Sequence, residues 1–327
     1  MPDRKADVLM MEEMAPMAIE GIGKAFTLHK LWEAPDRDRL IDDLSPRLRA
    51  IAAGGPVHDR VDRTLMTKFP KLEIISSFGV GYDHVDAKWA GEHGIVVTNT
   101  PDVLNEEVAD TALGLLLCTV RELPQAERYL RAGKWVNGEE YRLTASLRGR
   151  RAGVVGLGRI GKSIARRLEA FGLPVAYHGR NAQPGVAYRH YPDLVEMARD
   201  VDVMIVITPG GAATRHLINA KVLEALGPNG ILINVSRGSV VDQDALIAAL
   251  KERKILSAGL DVYANEPHVP PELMALDNVV LLPHVGSGSV STRNAMNQLV
   301  IDNLIAWAAG KKPLTPVPET PWPPKRK

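Results

Sequence analysis

RAGVVGLGRIG (151–161), continued by KSIARRLEAFG (162–172), is the stretch whose reading decides the fold. A short apolar run, GVV, leads into three glycines spaced GxGxxG. A segment of helical periodicity over 161–171 follows, and then a second apolar run at 174–177. The glycine spacing alone is weak evidence. Strand, turn, helix and strand in that order, within one βαβ length, make it a dinucleotide-binding turn. Gly156 permits the tight turn, Gly158 lets backbone approach a pyrophosphate, and Gly161 lets helix and strand pack closely. The helix N-terminus then offers free N–H groups to the anion. The competing reading is a glycine-rich strand–helix turn with no ligand.

Outward from this turn the same grammar repeats. Strand-like runs fall at 6–11, 48–53, 72–78 and 94–98. A second series falls at 153–156, 174–177, 201–208, 231–235, 257–262 and 279–282, with helical patterns such as 161–171 and 243–253 between. Apolar strands without clean alternation, separated by helices, indicate doubly wound parallel sheets covered on both faces. With 327 residues, two such series give an α/β protein of two domains. Between them, 104–123 reads as a long helix. Asn105 is placed as its N-cap, Glu106 and Glu107 lie in the first turn, and Val108, Ala112, Leu115, Leu116 and Val120 form an apolar stripe. The tail from Pro313 has six prolines in fifteen residues and is expected to be extended and mobile.

Composition excludes several classes. A formal net charge of +1 gives no global field for nucleic acid or an anionic membrane, and the only basic cluster is the terminal Lys325, Arg326 and Lys327. No run approaches the roughly 18 apolar residues of a membrane span, and the acids in MPDRKADVLMMEEM come too early for a signal peptide. The single cysteine, Cys118, excludes an internal disulfide and is read as a buried core thiol. A cytoplasmic protein is expected by default. His29, His58, His93 and His268 lack partners at metal-ligand spacing, so no metal is expected.

After the second strand of the nucleotide unit the sequence reads AYHGRN (176–181). An acid there would bind ribose hydroxyls and repel a phosphate. None is present, and Arg180 is placed to pair with a 2′-phosphate, with His178 and Asn181 as added donors, which favours NADP(H) over NAD(H). Three further segments follow predicted strands: NVSRG (234–238), GLDVYANEP (259–267) and LPHVGS (282–287). Singly, Arg237, Glu266 and His284 have ordinary surface or loop readings. Together, at the carboxyl ends of successive strands, they lie where an open parallel sheet binds its ligand.

With these segments in view the chain resembles the D-isomer-specific 2-hydroxyacid dehydrogenases, in their glyoxylate/hydroxypyruvate and hydroxyphenylpyruvate reductase branch. LEIISSFGVGYDHVD (72–86), VTNTPDVLNEEVAD (97–110), INVSRGSVVD (233–242), AGLDVYANEP (258–267) and LLPHVGSGSVSTR (281–293) carry the likeness. The resemblance implies two Rossmann-like domains with a cleft between them: a discontinuous substrate domain (1–100 and 289–327) and a nucleotide domain (101–288). It implies reduction of a small 2-oxo acid by NADP(H), with NAD(H) possible. Arg237 would hold the substrate's carboxylate and carbonyl oxygen. His284 would be the general acid, and Glu266 would orient its ring and favour the imidazolium. Backbone N–H groups of Val80 and Gly81 would bind the carboxylate. Asp261 would hold the nicotinamide carboxamide, and Gly156, Leu157, Gly158, Arg159, Ile160, Gly161, Gly179, Arg180, Asn181, Thr208, Pro209, Val235 and Gly286 would line the cofactor. Formate dehydrogenases of the superfamily carry Gln where Glu266 stands, and many members carry Glu where this chain has Asp110. A homodimer through the 104–123 helix is implied. Subsidiary candidates are His84 as a substrate contact, Trp135 beside a pocket, and Ser287 and Arg293 as closing residues. Two other readings stand beside this one: an aromatic 2-oxo acid reductase, and a non-catalytic, NAD(P)-sensing corepressor-like protein.

Overall fold

Aspartates placed ahead of apolar helices set much of the local structure. In the computed structural model, which describes residues 5–54, 60–136 and 138–324, the side chains of Asp36, Asp62, Asp86, Asp193 and Asp242 each accept a backbone N–H three residues on. His58 and Lys325, Arg326 and Lys327 lie outside the described residues. By its internal contacts the chain divides into two units, Met1–Leu104 with Ser289–Lys327, and Asn105–Gly288.

The first unit runs β1 (Asp7–Met10), α1 (Pro16–Ala25), β2 (Thr27–Lys30), α2 (Arg37–Leu44), β3 (Ala50–Ala53), α3 (Arg63–Thr67), β4 (Ile74–Ser77), α4 (Ala87–Glu92) and β5 (Val96–Thr98). Its five strands are parallel in the order β2-β1-β3-β4-β5. Every residue of β1, β3 and β4 is buried, the signature of a sheet covered on both faces.

The second unit opens with α5 (Asn105–Val120) and α6 (Leu123–Arg131). It continues through β6 (Ala152–Val155), α7 (Arg159–Ala170), β7 (Val175–His178), β8 (Arg189–Tyr191), α8 (Leu194–Asp200) and β9 (Val203–Val206). Then come α9 (Ala220–Leu226), β10 (Ile231–Asn234), α10 (Gln243–Lys251), β11 (Ser257–Leu260), α11 (Pro271–Met274) and β12 (Val279–Leu281). The sheet order is β12-β11-β10-β9-β6-β7-β8, all parallel. The chain reverses direction across the sheet between β6 and β9, which is the switch point where such sheets bind ligands. The chain then returns to the first unit as α12 (Val290–Ala308), which packs on α1 and β4. A Cβ on Gly21 of α1 would stand 2.6 Å from Ile301 Cδ1 of α12, so the glycine lets the two helices approach closely without moving the Ile301 side chain.

Four expectations need correction. β2 and β8 were not anticipated, because TLHK and RHY are edge strands with no apolar run to mark them. Asn105 is the first helical residue of α5, and the helix ends at Val120, short of the expected 123, because Glu122 takes a left-handed conformation (φ +51°) and a new helix starts at Leu123 with Pro124 in its first turn. The apolar stripe of α5 is filled by its own unit, on α7, β10 and β11, so that face is not free for a second subunit. Arg167 of α7 bridges Asp110 and Glu106 of α5 at 2.6 and 2.7 Å. The tail is extended as expected, but its first part is hydrogen-bonded to the first unit. Val317 N–H donates to Val97 O at 2.9 Å, Pro316 pairs with Thr98, and Val317 and Thr320 are buried. The segment covers the exposed edge of β5. Cys118 is half-buried, and burial pushes its thiol up. No helix among the described residues is long and apolar enough to cross a membrane.

Candidate active site

At the switch point the glycine loop is built by contact. Gly156 has φ +99°, and a Cβ there would stand 2.9 Å from Ile207 O and 3.0 Å from Thr208 Cα. This places the β6 turn against the end of β9, bringing Gly156 and Thr208 together. A Cβ on Gly161 would stand 2.1 Å from Gly156 O. A Cβ on Gly158, by contrast, would meet nothing within 4 Å, and Gly158 caps α7 without a side-chain bond. Two glycines are thus needed by packing, and the third leaves open backbone beside a twelve-residue helix N-terminus. The cradle fits a dinucleotide's pyrophosphate.

Beyond β7, Arg180 and Asn181 are exposed, and Arg180 has no hydrogen-bond or ion-pair partner among the described residues. His178 is tied through Nδ1 to Tyr191 O at 2.9 Å, and His190 Nε2 lies 3.0 Å from Gly179 O. Gln183 donates through Nε2 to Leu157 O at 2.7 Å, and its N–H donates to the Tyr177 hydroxyl at 2.7 Å. Gln183 therefore fastens the Arg180 loop to the glycine loop. No local pattern of residues signals this role. A free cation with no neighbouring acid suits a 2′-phosphate.

Along the same edge of the sheet, the ends of β10, β11 and β12 carry the three reactive side chains. His284 Nδ1 lies 2.7 Å from Glu266 Oε2, and Glu266 Oε1 accepts the Tyr263 N–H at 2.9 Å. Burial works to raise the Glu266 carboxyl, but the His284 hydrogen bond and charge, the Tyr263 N–H and the Arg237 charge outweigh it and hold it below the ordinary carboxylate range. Glu266 is then an acceptor, so Nδ1 carries the proton toward it and Nε2 is the nitrogen left for chemistry. Arg237 is half-buried and directs one guanidinium N–H to Ser236 O at 2.8 Å. Its neighbour Gly238 explains how the loops meet: a Cβ there would stand 1.8 Å from Tyr263 C and O.

His284 itself has φ +54°, rare for a residue with a side chain. The following turn is locked by Asp261, whose two oxygens accept the N–H groups of Val285 at 2.7 Å and Gly286 at 2.8 Å. Burial raises the Asp261 carboxyl despite those two donors. Tyr263, buried and missed in the sequence reading, joins the loops: its hydroxyl donates to Leu282 O at 2.9 Å while its N–H holds Glu266. Burial, and then the charges of Asp261 and Glu266, push its phenol far up, so it stays a donor.

In the first unit, the loop after β4 holds Val80 and Gly81. Thr100 N–H donates to Gly79 O at 2.8 Å, Thr100 Oγ1 accepts from Gly79 N–H at 2.9 Å, and Asn99 Nδ2 donates to Val80 O at 2.8 Å. The N–H groups of Val80 and Gly81 have no partner among the described residues.

The subsidiary candidates sit as follows. His84 Nε2 meets Ser77 Oγ at 3.2 Å, and Arg293 lies over the Phe78 ring at 5.4 Å. Trp135 is 62% exposed. His29 pairs with Asp7 at 2.7 Å and His93 stacks on Trp89. No group of three metal-ligating side chains occurs among the described residues.

A seven-stranded doubly wound sheet with a dinucleotide cradle at its switch point and a His–Glu pair along the same edge defines a nicotinamide-dependent dehydrogenase class. The sequence model of the D-isomer specific 2-hydroxyacid dehydrogenase NAD-binding domain matches residues 113–286, and the chain belongs to that family. It is 47% identical to glyoxylate/hydroxypyruvate reductase A HPR2 of Arabidopsis thaliana, over 95% of this chain and 98% of that protein. It is 44% identical to the hydroxyphenylpyruvate reductase of Plectranthus scutellarioides, over 95% and 98%. The crystal structure of an NADPH-dependent glyoxylate/hydroxypyruvate reductase from Sinorhizobium meliloti, in complex with NADP and malonate, is similar at 51% identity and TM-score 0.92, covering 99% of each chain.

Proposed function

We propose that this chain reduces small 2-oxo acids, glyoxylate and hydroxypyruvate foremost, to their D-2-hydroxy acids at the expense of NADPH. One observation carries the reading: the His284 Nδ1–Glu266 Oε2 bond at 2.7 Å, on the sheet edge that also holds Arg237 and the glycine cradle. The names of the relatives support it. The unpartnered Arg180 supports NADP(H), with NAD(H) as a weaker cofactor.

When bound, the reduced nicotinamide supplies the hydride that C2 of the oxo acid accepts. The residues do the rest. Gly156, Leu157, Gly158, Arg159, Ile160 and Gly161 hold the pyrophosphate, and Gly179, Arg180 and Asn181 the 2′-phosphate. Thr208, Pro209, Val235, Asp261 and Gly286 line the remainder. The Arg237 guanidinium pairs with the substrate carboxylate and stabilises charge on the carbonyl oxygen. The Val80 and Gly81 N–H groups are the second set of carboxylate donors. His284 Nε2 delivers a proton to the carbonyl oxygen while Glu266 holds the Nδ1 proton and the ring's orientation.

In this reading 1–100 with 289–327 is the substrate domain and 101–288 the nucleotide domain. The assembly is a homodimer. With the α5 stripe filled from within, Leu130, Trp135, Val136 and Leu143, all exposed beyond α5, are its apolar contact surface. The location is cytoplasmic, consistent with a single free cysteine.

A second reading, reduction of an aromatic 2-oxo acid, is favoured by the similarity to hydroxyphenylpyruvate reductase. A steady-state panel crossing NADPH and NADH with glyoxylate, hydroxypyruvate and hydroxyphenylpyruvate separates the two by kcat/KM. NADPH binding without turnover on any of the three would overturn both and leave a cofactor sensor.

A further inference from the structure

The carboxyl-terminal segment has more contacts in the first unit than an edge cover needs. Asn303 of α12 is fully buried, and its Nδ2 donates to Thr315 Oγ1 at 2.9 Å while its Oδ1 accepts the Thr315 N–H at 3.1 Å. Thr315 Oγ1 in turn donates to Asn99 O at 2.6 Å, and Asn99 N–H donates to Thr315 O at 3.3 Å. The Asn99 side chain then donates to Val80 O at 2.8 Å. A continuous polar chain therefore runs from the middle of α12, through the tail, to the loop with two unpartnered N–H groups. A second strut lies four residues on: the Tyr82 hydroxyl donates to Glu319 Oε2 at 3.0 Å. Burial and Glu319 push the Tyr82 phenol up to about 12, so it remains a donor across the working pH range.

The sequence of the segment suits this role. Pro313, Pro316 and Pro318 keep it extended and remove competing donors. The N–H groups of Thr315, Val317 and Thr320 are all used: Thr315 to Asn303, Val317 to Val97 O, and Thr320 to Val317 O. Thr320 Oγ1 also accepts the Val97 N–H at 2.9 Å. A Cβ on Gly91 would stand 2.1 Å from Glu319 O, so the tail backbone lies directly on α4.

We infer that the 313–320 segment is a brace for the 79–82 loop, with Thr315, Asn99, Tyr82 and Glu319 as positioning residues that aim the Val80 and Gly81 N–H groups. None of the four is asked to touch substrate or cofactor. The inference rests on the proposed function for its catalytic half: a loop that binds a carboxylate through backbone donors needs those donors fixed before the substrate arrives, and fixing them lowers KM without touching the proton transfer.

Thr315→Val, Thr315→Ser, Tyr82→Phe and Glu319→Ala test this in the full-length protein by two readouts. Hydrogen exchange of the peptide covering 79–85 reports the brace directly, and steady-state kinetics with NADPH and glyoxylate report its use. T315V is expected to speed exchange of that peptide and raise the glyoxylate KM about tenfold, the scale of one lost buried hydrogen bond. Its kcat and NADPH KM should stay within about twofold of wild type on the same reasoning. T315S, which keeps the hydroxyl, should restore both readouts. Y82F and E319A, at the exposed end, keep the test alive should T315V fold poorly. They should each raise KM a few-fold, and the double variant should add little to either. Unchanged exchange in folded T315V and Y82F overturns the brace. Faster exchange with unchanged glyoxylate KM overturns its positioning role. A wild-type protein that turns over no 2-oxo acid overturns the proposed function and the catalytic half with it, and the exchange data still tell that failure from loss of the brace.

Discussion

Gly238→Ala is a small change that the geometry makes severe. The Cβ would arrive 1.8 Å from Tyr263 C and O and 2.4 Å from Ala264 N, all backbone atoms. Ordinary contact begins near 3.4 Å, so the strand ends carrying Arg237 and Glu266 must separate by roughly 1.6 Å. Gly238 is in no left-handed conformation, so the penalty is steric and not torsional. Overpacking of this kind costs about 1–3 kcal/mol, which lowers Tm by about 2–12 °C for a unit of this size. Activity should suffer more. A displacement of about 1 Å between groups that must act together costs roughly 10²-fold, and here Arg237 moves relative to the Glu266–His284 pair. NADPH oxidation with glyoxylate should show kcat/KM down by about 10². NADPH affinity, read by fluorescence titration, should stay within about threefold, because the glycine loop is untouched. A folded G238A protein with wild-type kcat/KM would refute the idea that this contact sets the spacing of the two loops.

Three other outcomes follow from the same geometry. Arg180→Ala should raise the NADPH KM about 10–100-fold, the scale of a lost charge-assisted contact, and leave the NADH KM nearly unchanged; equal effects on both cofactors would exclude a 2′-phosphate role. Glu266 is held below the unfolded glutamate value of about 4.3, so its stabilisation is complete above that pH and is lost as pH falls through the lower folded value. The Tm gap between wild type and Glu266→Gln should therefore be widest near neutrality and close on acidification below about pH 4; a gap that stays constant would contradict the depressed carboxyl. Trp135→Glu together with Val136→Glu should shift a dimer to monomer in light scattering, and an unchanged mass would place the interface elsewhere.

The parallel sheets were legible because their central strands are buried on both sides and read as plain apolar runs, as in VMIV and ILIN. β2 and β8 escaped because an edge strand can be polar, and pairing through the backbone leaves no mark in the side chains. The tail misled for a related reason. Proline forbids helix and central strand, but not a single antiparallel bridge to an open edge. At the candidate site, side chains with distinctive chemistry were visible: Arg180, Arg237, Glu266 and His284 can be named from segments alone. The supports were not. Gln183, Tyr263 and Asn99 act through backbone groups of residues far from them in sequence, and Gly238 matters through the space it leaves. Such roles are set by tertiary approach, and no local spacing announces them.

The claim on which the chemistry turns is that the imidazole of residue 284 is the proton donor in carbonyl reduction. The direct measurement is kcat for glyoxylate and hydroxypyruvate in His284→Gln, at saturating NADPH, alongside the NADPH dissociation constant of the same protein. Turnover should fall by about 10² or more with cofactor affinity retained; a variant that reduces either oxo acid at the wild-type rate would rule out His284 as the proton donor.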